Sequence, residues 1–305
     1  MIKILVTTAT LFTACIIAGC GSSGSSMMTT PTSTAKSVIA GTVADGYLVG
    51  ATVFLDKNGN YQLDAGEPST TTDQNGAYTL NIDPADVGKY PIVAIATKGV
   101  TVDKDTGAAV ASSYVLSLPK DSVTGTVSSN FISPMSSLIR ETMAANPGMS
   151  LTDAMVLLRS QMNLPAGMNM LSDYVSQGSA NSTDPNKANY QAMHAAARNM
   201  ATLMGSQMGQ VLATNGSTTT VDVGRYQGMM VSIFKNMSTI KGSNPNSPAM
   251  TNMAGTMTTT LQGTSWGLPF RNISTSIRGM MGRSGSSTIG GMMGGAGLTA
   301  AGGMM

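Results

Sequence analysis

The spacing of apolar residues changes once along the chain, near Phe131, and that change sets the fold class. Before it, short β-rich runs alternate with turn clusters: Val38–Val43, Thr52–Leu55, Ala77–Ile82, Ile92–Thr97 and Ser113–Leu118. Tyr78, Leu80 and Ile82 fall at every second position, as a half-buried strand requires when successive side chains leave opposite faces. Asn75-Gly76 supplies a tight turn just ahead of them. Several short strands within 38–120 predict a small antiparallel β-sandwich.

After Phe131 the period is helical, which predicts a helical domain over 131–262. Ser133-Pro134 is an N-cap followed by Pro at the first helical position, and Asn146-Pro147-Gly148 stops that helix. Ser150 with Asp153 approximates a capping box for Leu151–Met162. Asp184-Pro185 opens a helix running to about Thr214, where Asn215-Gly216 ends it. A fourth helix is expected over Arg225–Ile240, and a short fifth after Ser247-Pro248. On the long helix Met193, Met200, Met204 and Met208 lie on one side, which is the pattern of a core face. His194 points away from that stripe and reads as a polar-face or packing residue. Beyond it, 263–305 is low-complexity, rich in Gly and Met, and expected to be disordered.

The first nineteen residues read as a targeting segment. Lys3 gives a minimal positive start, and Ile4 to Ala18 is an apolar run, shorter than the roughly 20 residues a membrane-spanning helix needs. Ile17-Ala18-Gly19-Cys20 followed by Gly21-Ser22-Ser23-Gly24 resembles the lipobox of bacterial lipoproteins. The resemblance implies cleavage before Cys20, which becomes the lipidated first residue and attaches the protein to a membrane. Gly21 stands where many such proteins carry the Asp that retains them at the inner membrane, so a lipid-anchored outer-membrane location is expected, periplasmic or surface-exposed. Residues 20–37 then form a flexible Gly/Ser/Thr tether. Cys15 lies in the discarded segment, so the mature chain has no disulfide and must hold itself by core packing or bound metal.

Charge excludes other classes. Charged residues make up 10% of the chain and the net charge is +2, leaving no basic field for phosphates and no nucleic-acid partner. One His and two Cys offer little for a hydrolase or a Cys/His metal cluster. Gly263-Thr264-Ser265-Trp266-Gly267 imitates a nucleophile elbow, but the required later His is missing, since His194 precedes Ser265. Gly295-Ala296-Gly297-Leu298-Thr299-Ala300 imitates a dinucleotide fingerprint without a preceding strand. The expectation is a protein that is not an enzyme.

Two metal readings remain. Gly-Met-Met recurs at 279–281, 291–293 and 303–305, and thioethers select Cu(I). Met280, Met281, Met292, Met293, Met304 and Met305 are therefore the ligands of the alternative reading, a copper-handling envelope protein. The leading one is calcium. Asp56-Lys57-Asn58-Gly59-Asn60-Tyr61-Gln62-Leu63-Asp64-Ala65-Gly66-Glu67 places side-chain oxygens at loop positions one, three, five, nine and twelve, with a carbonyl available at Gln62. Tyr61 stands where such loops carry Gly, and positive φ there costs a bulky residue about 1–2 kcal/mol. Either Gly59 takes the turn or affinity is low.

The stretch from Asp45-Gly46-Tyr47 through Asp73-Gln74-Asn75-Gly76-Ala77-Tyr78 resembles the B-type repeats of bacterial surface adhesins, grouped with collagen-adhesin B-type and carboxypeptidase-regulatory-like sandwiches. The likeness runs from about Gly41 to Leu118. It implies an immunoglobulin- or transthyretin-like sandwich with Asp56, Asn58, Asn60, Asp64 and Glu67 as Ca²⁺ ligands and Gln62 contributing its carbonyl. Ile132-Ser133-Pro134-Met135 looks like the segment after such sandwiches in large surface lipoproteins. The implied role is structural or adhesive, toward an envelope protein or an extracellular partner.

Overall fold

The chain builds β-sheets first and helices afterwards, in the order the change of period predicts. The computed structural model describes residues 36–124, 130–212 and 220–262. The expected signal peptide, Cys20, nearly all of the expected tether and the whole 263–305 segment lie outside the described residues. So do Ser265, Gly295 and the candidate copper ligands Met280, Met281, Met292, Met293, Met304 and Met305.

Strand β1 (Ser37–Val43) pairs antiparallel with β5 (Ala77–Ile82) and parallel with β10 (Asn130–Ile132). In β5 Tyr78, Leu80 and Ile82 are buried while Thr79 and Asn81 are exposed, so the alternation in the sequence is the alternation of faces. Gly41 admits β10 to this sheet: a Cβ there would lie 2.0 Å from the Asn130 carbonyl oxygen. A second sheet runs β4 (Ser69–Thr71), β3 (Thr52–Leu55), β6 (Ile92–Ala96), β9 (Tyr114–Leu118), with every pair antiparallel. Short strands β2 (Leu48–Val49), β7 (Val102–Asp103) and β8 (Ala108–Ala109) make a third. The β2, β4, β7, β8 and β10 strands are two or three residues long, too short for periodicity to announce them.

Seven helices follow among the described residues: α1 (Pro134–Ala145), α2 (Leu151–Gln161), α3 (Tyr174–Gln177), α4 (Lys187–Val211), α5 (Val223–Lys235), α6 (Met237–Gly242) and α7 (Pro248–Gln262). Ser133 caps α1 by accepting from the Ser136 amide, and Ser136 returns the bond, so a capping box forms with Ser in place of the usual Glu or Gln. Ser150 likewise caps α2 through the Asp153 amide. The helix expected over 225–240 is two helices. Asn236 breaks it with φ −103° and ψ 13°, and its Nδ2 donates to the Ser232 carbonyl at 2.8 Å. This is how a short amide side chain competes with the helical ladder.

Helix α4 is central and packs against α3, α5, α6 and α7. Its Met193, Met200, Met204 and Met208 are buried with Met229, Met230, Met237, Met250, Met253 and Met257 of the neighbouring helices. These methionines belong to the same continuous core as the strand residues Ile39, Phe54, Leu80 and Leu116. All described residues fall in one compact unit. Strand β9 is buried along its whole length because α1 covers it; Ser137 Oγ accepts from the Ser117 amide at 2.8 Å and Ser136 Oγ donates to its carbonyl at 2.6 Å. No described helix is long and apolar enough to cross a membrane.

Candidate functional site

The acidic loop joins β3 to β4. The antiparallel register Phe54↔Ser69 sets its base, and the Leu55 amide donating to the Pro68 carbonyl at 3.1 Å closes it. Within that base the side chains do the folding. Asp56 is wholly buried. Its Oδ1 accepts from the Gly59 and Asn60 amides at 2.8 and 3.2 Å, and its Oδ2 from the Tyr61 amide at 3.3 Å. Asn58 Oδ1 accepts from the Asn60 amide at 3.1 Å, and Asn60 Oδ1 from the Gln62 amide at 2.8 Å. These are the short-range turns that Asp and Asn favour.

The remaining donors converge on Asp64. Asn58 Nδ2 and Asn60 Nδ2 both donate to Asp64 Oδ2 at 2.7 Å. Glu67 closes the far side, accepting from the Lys57 amide at 2.7 Å and the Asp64 amide at 3.0 Å. Five of the six expected ligands therefore sit in one hydrogen-bonded network; no contact of the Gln62 carbonyl joins it. Lys57 turns its ammonium outward to Asp86 at 2.8 Å. Among the described residues the cation that enters is Arg140, whose Nη2 lies 3.2 Å from Asp56 Oδ2.

No family model, curated protein or solved structure matches this chain.

The loop's chemistry suits a hard cation in two ways and resists it in two. Asp56, Asp64 and Glu67 against Arg140 leave two negative charges, and every candidate donor is an oxygen or an amide that can present one. Rotating an Asn amide by half a turn exchanges Nδ2 for Oδ1, so the two amides on Asp64 can turn oxygens toward a cation placed there, at the cost of the bonds those oxygens accept from the Asn60 and Gln62 amides. Against this, both oxygens of Asp56 already accept hydrogen bonds. Among the described residues no three His, Cys, Asp or Glu side chains are grouped to hold a metal ion.

The sixth loop position departs from expectation. Gly59 and Tyr61 are both left-handed, at φ 77° and 62°, so Gly59 does not spare Tyr61 the strained turn. What holds Tyr61 there is tertiary. Its side chain is 2% exposed and its ring lies 4.5 Å from that of Tyr226 in α5. The Arg140 guanidinium stands 4.2 Å from the ring centroid. The hydroxyl donates to Glu141 Oε1 at 2.5 Å. Burial, and then the Glu141 carboxylate, push the Tyr61 phenol well above its ordinary value. Burial also raises Glu141, with Arg140 and the Tyr61 hydroxyl opposing. Glu141 Oε2 has no hydrogen-bond partner among the described residues. Tyr226 completes the link by donating to the Val115 carbonyl of β9 at 3.0 Å.

Arg140, Glu141 and Tyr226 were not legible as parts of this site. The one signal was an Arg-Glu pair inside an otherwise uncharged helix, Pro134–Ala145, and nothing local says which loop it meets. His194 is also placed by tertiary structure: its Nε2 lies 2.7 Å from Asp105 Oδ2.

Proposed function

We propose that this protein is a lipid-anchored cell-envelope protein whose Asp56–Glu67 loop binds Ca²⁺ and stiffens a β-sandwich of the adhesin B type, in a structural or adhesive role. Cys20 carries the lipid and tethers the protein to the outer membrane. The sandwich is formed by the β10-β1-β5 and β4-β3-β6-β9 sheets, and it presents a surface to an envelope or extracellular partner instead of turning over a substrate. The observation that carries this reading is the closure of Asn58, Asn60 and Glu67 around Asp64 with two uncompensated negative charges.

Asp64 and Glu67 would contribute carboxylate oxygens, Asn58 and Asn60 their amide oxygens, and Gln62 its carbonyl. Asp56, held by three amides, would orient the loop and supply charge. When bound, Ca²⁺ contributes a cross-link among oxygens and no reaction chemistry.

Extracellular modules bind Ca²⁺ with Kd of about 10⁻⁴–10⁻³ M. Millimolar Ca²⁺ then stabilises the folded state by about 0.4–1.4 kcal/mol, a rise in melting temperature of roughly 1–6 °C for a unit of this size. Calorimetry of the full mature chain with Ca²⁺ and with chelator should show that rise. Asp64→Asn combined with Glu67→Gln, which preserve shape and remove charge, should abolish it. Identical melting of the parent with and without Ca²⁺ would reduce the loop to an acidic turn.

A further inference from the structure

A second acidic constellation, away from the loop, has carboxylates that the chain itself does not neutralise. Asp45 lies in the turn after β1, and Asp103 and Asp105 in the hairpin formed by β7 and β8. Gly46 lets them meet: a Cβ there would lie 2.5 Å from Asp105 Cγ and 2.7 Å from Asp103 Oδ1. Two basic side chains of α4 meet Asp105, the His194 imidazole at 2.7 Å and the Arg198 guanidinium at 3.4 Å. Asp45 is 6% exposed. Its Oδ2 accepts from the Tyr114 hydroxyl at 2.9 Å, while its Oδ1 has no hydrogen-bond partner among the described residues. A buried carboxylate oxygen without a donor is costly and asks for one. Burial, and then the Asp103 carboxylate, push Asp45 up to about 7, and burial raises Asp103.

Asp45 and Asp103 line a cavity of about 470 Å³ between the β7–β8 hairpin, β9 and α4. Tyr114, Val110, Ala201 and Gly205 supply much of the rest of its lining, so apolar surface surrounds the two acids, the composition of a small-molecule site. Gly205 sits inside α4, where Gly is disfavoured relative to Ala. A Cβ there would come 3.2 Å from Ser112 Cβ, so its absence keeps the wall of the cavity open.

We propose that this cavity binds a small organic ammonium ion, its charge set against the Asp45 and Asp103 carboxylates and its carbon body against Val110, Ala201 and the gap at Gly205. A bare metal ion suits it less well. No described trio of acidic, His or Cys side chains is grouped to coordinate one, and apolar walls give a metal no ligands. An ammonium carries one compact charge and three donors on a carbon stem that such walls can hold.

The probe is n-butylammonium chloride, with 1-butanol as its neutral match, titrated into the full mature chain at pH 8, where Asp45 is ionised. Methyl resonances of Val110 and Ala201 report the site by NMR. Butylammonium should shift both, with 1-butanol at least tenfold weaker. Asp45→Asn, which retains the size of the side chain, should weaken butylammonium at least tenfold. Gly205→Leu should remove binding by filling the space, and Ala201→Val serves as the milder filling variant should Gly205→Leu fail to fold. Equal binding of butylammonium and 1-butanol, an unchanged affinity in Asp45→Asn, or no shift of the two methyl signals would each overturn the proposal.

Discussion

Replacing Tyr61 by Gly separates a loop that obeys only its local conformation from one held by the helices. Judged on the backbone alone the change is favourable. It removes a left-handed Tyr, worth about 1–2 kcal/mol, and Gly is the usual residue at that loop position. The gain is partly cancelled, because Gly loses more freedom on folding, by about 0.5–1 kcal/mol. The side chain decides the outcome. Tyr61 is 2% exposed, and deleting a buried aromatic ring costs about 3–5 kcal/mol. The hydroxyl bond to Glu141 at 2.5 Å adds about 1–3 kcal/mol, since its loss leaves a buried carboxylate short of a donor. The balance is a loss of about 2.5–8 kcal/mol, and even its lower end is a fall in melting temperature of roughly 5–10 °C for a unit of this size. Thermal unfolding of Tyr61→Gly beside Tyr61→Phe measures both contributions, because Tyr61→Phe keeps the ring on Tyr226 and loses only the hydroxyl. A Tyr61→Gly protein that melts at or above the parent temperature would refute the reasoning, since the backbone would then outweigh the anchor.

Glu141 is held above its ordinary value of 4.5 by burial, so the folded state binds its proton more tightly than the unfolded chain does. The stability it contributes is complete below pH 4.5 and is lost as pH rises through its folded value. Urea unfolding should therefore move in favour of Glu141→Gln, relative to the parent, between pH 4.5 and pH 8; parallel curves would contradict this. Asn199, 1% exposed, donates from Nδ2 to the Ile240 and Ser243 carbonyls at 2.8 and 2.7 Å. Asn199→Ala should cost about 1–3 kcal/mol by stranding the Ser243 carbonyl, the Ile240 carbonyl keeping the Ser243 amide; a shifted urea midpoint measures it, and an unchanged midpoint would show the α6 terminus to be held otherwise. Cys20→Ala should move the protein from the membrane to the soluble fraction of lysed cells, and continued membrane association would remove Cys20 as the anchor.

Much of the secondary structure was decided by neighbours in the sequence. Alternation at Tyr78, Leu80 and Ile82 marks a strand because side chains of extended backbone leave opposite faces, whatever lies beyond them. Ser133-Pro134 and Ser150 start helices because their oxygens reach amides only three residues ahead. Asp56, Asn58 and Asn60 fold the acidic loop through bonds spanning two to six residues, so most of its shape too was written locally. What the sequence could not carry is any contact whose partner lies far along the chain. Strand β10 joins the sheet only because Gly41 has no Cβ, and a parallel partner some ninety positions away leaves no periodic trace. Tyr61 looked like a fault in a calcium loop until α1 and α5 closed over it. Asp45 belongs to an acidic group only because Asp103 and Asp105 pack against Gly46 beside it and Tyr114 takes one of its oxygens. In each case the local conformation was cheap to specify and the cost or use of the side chain depended on burial, which only packing decides.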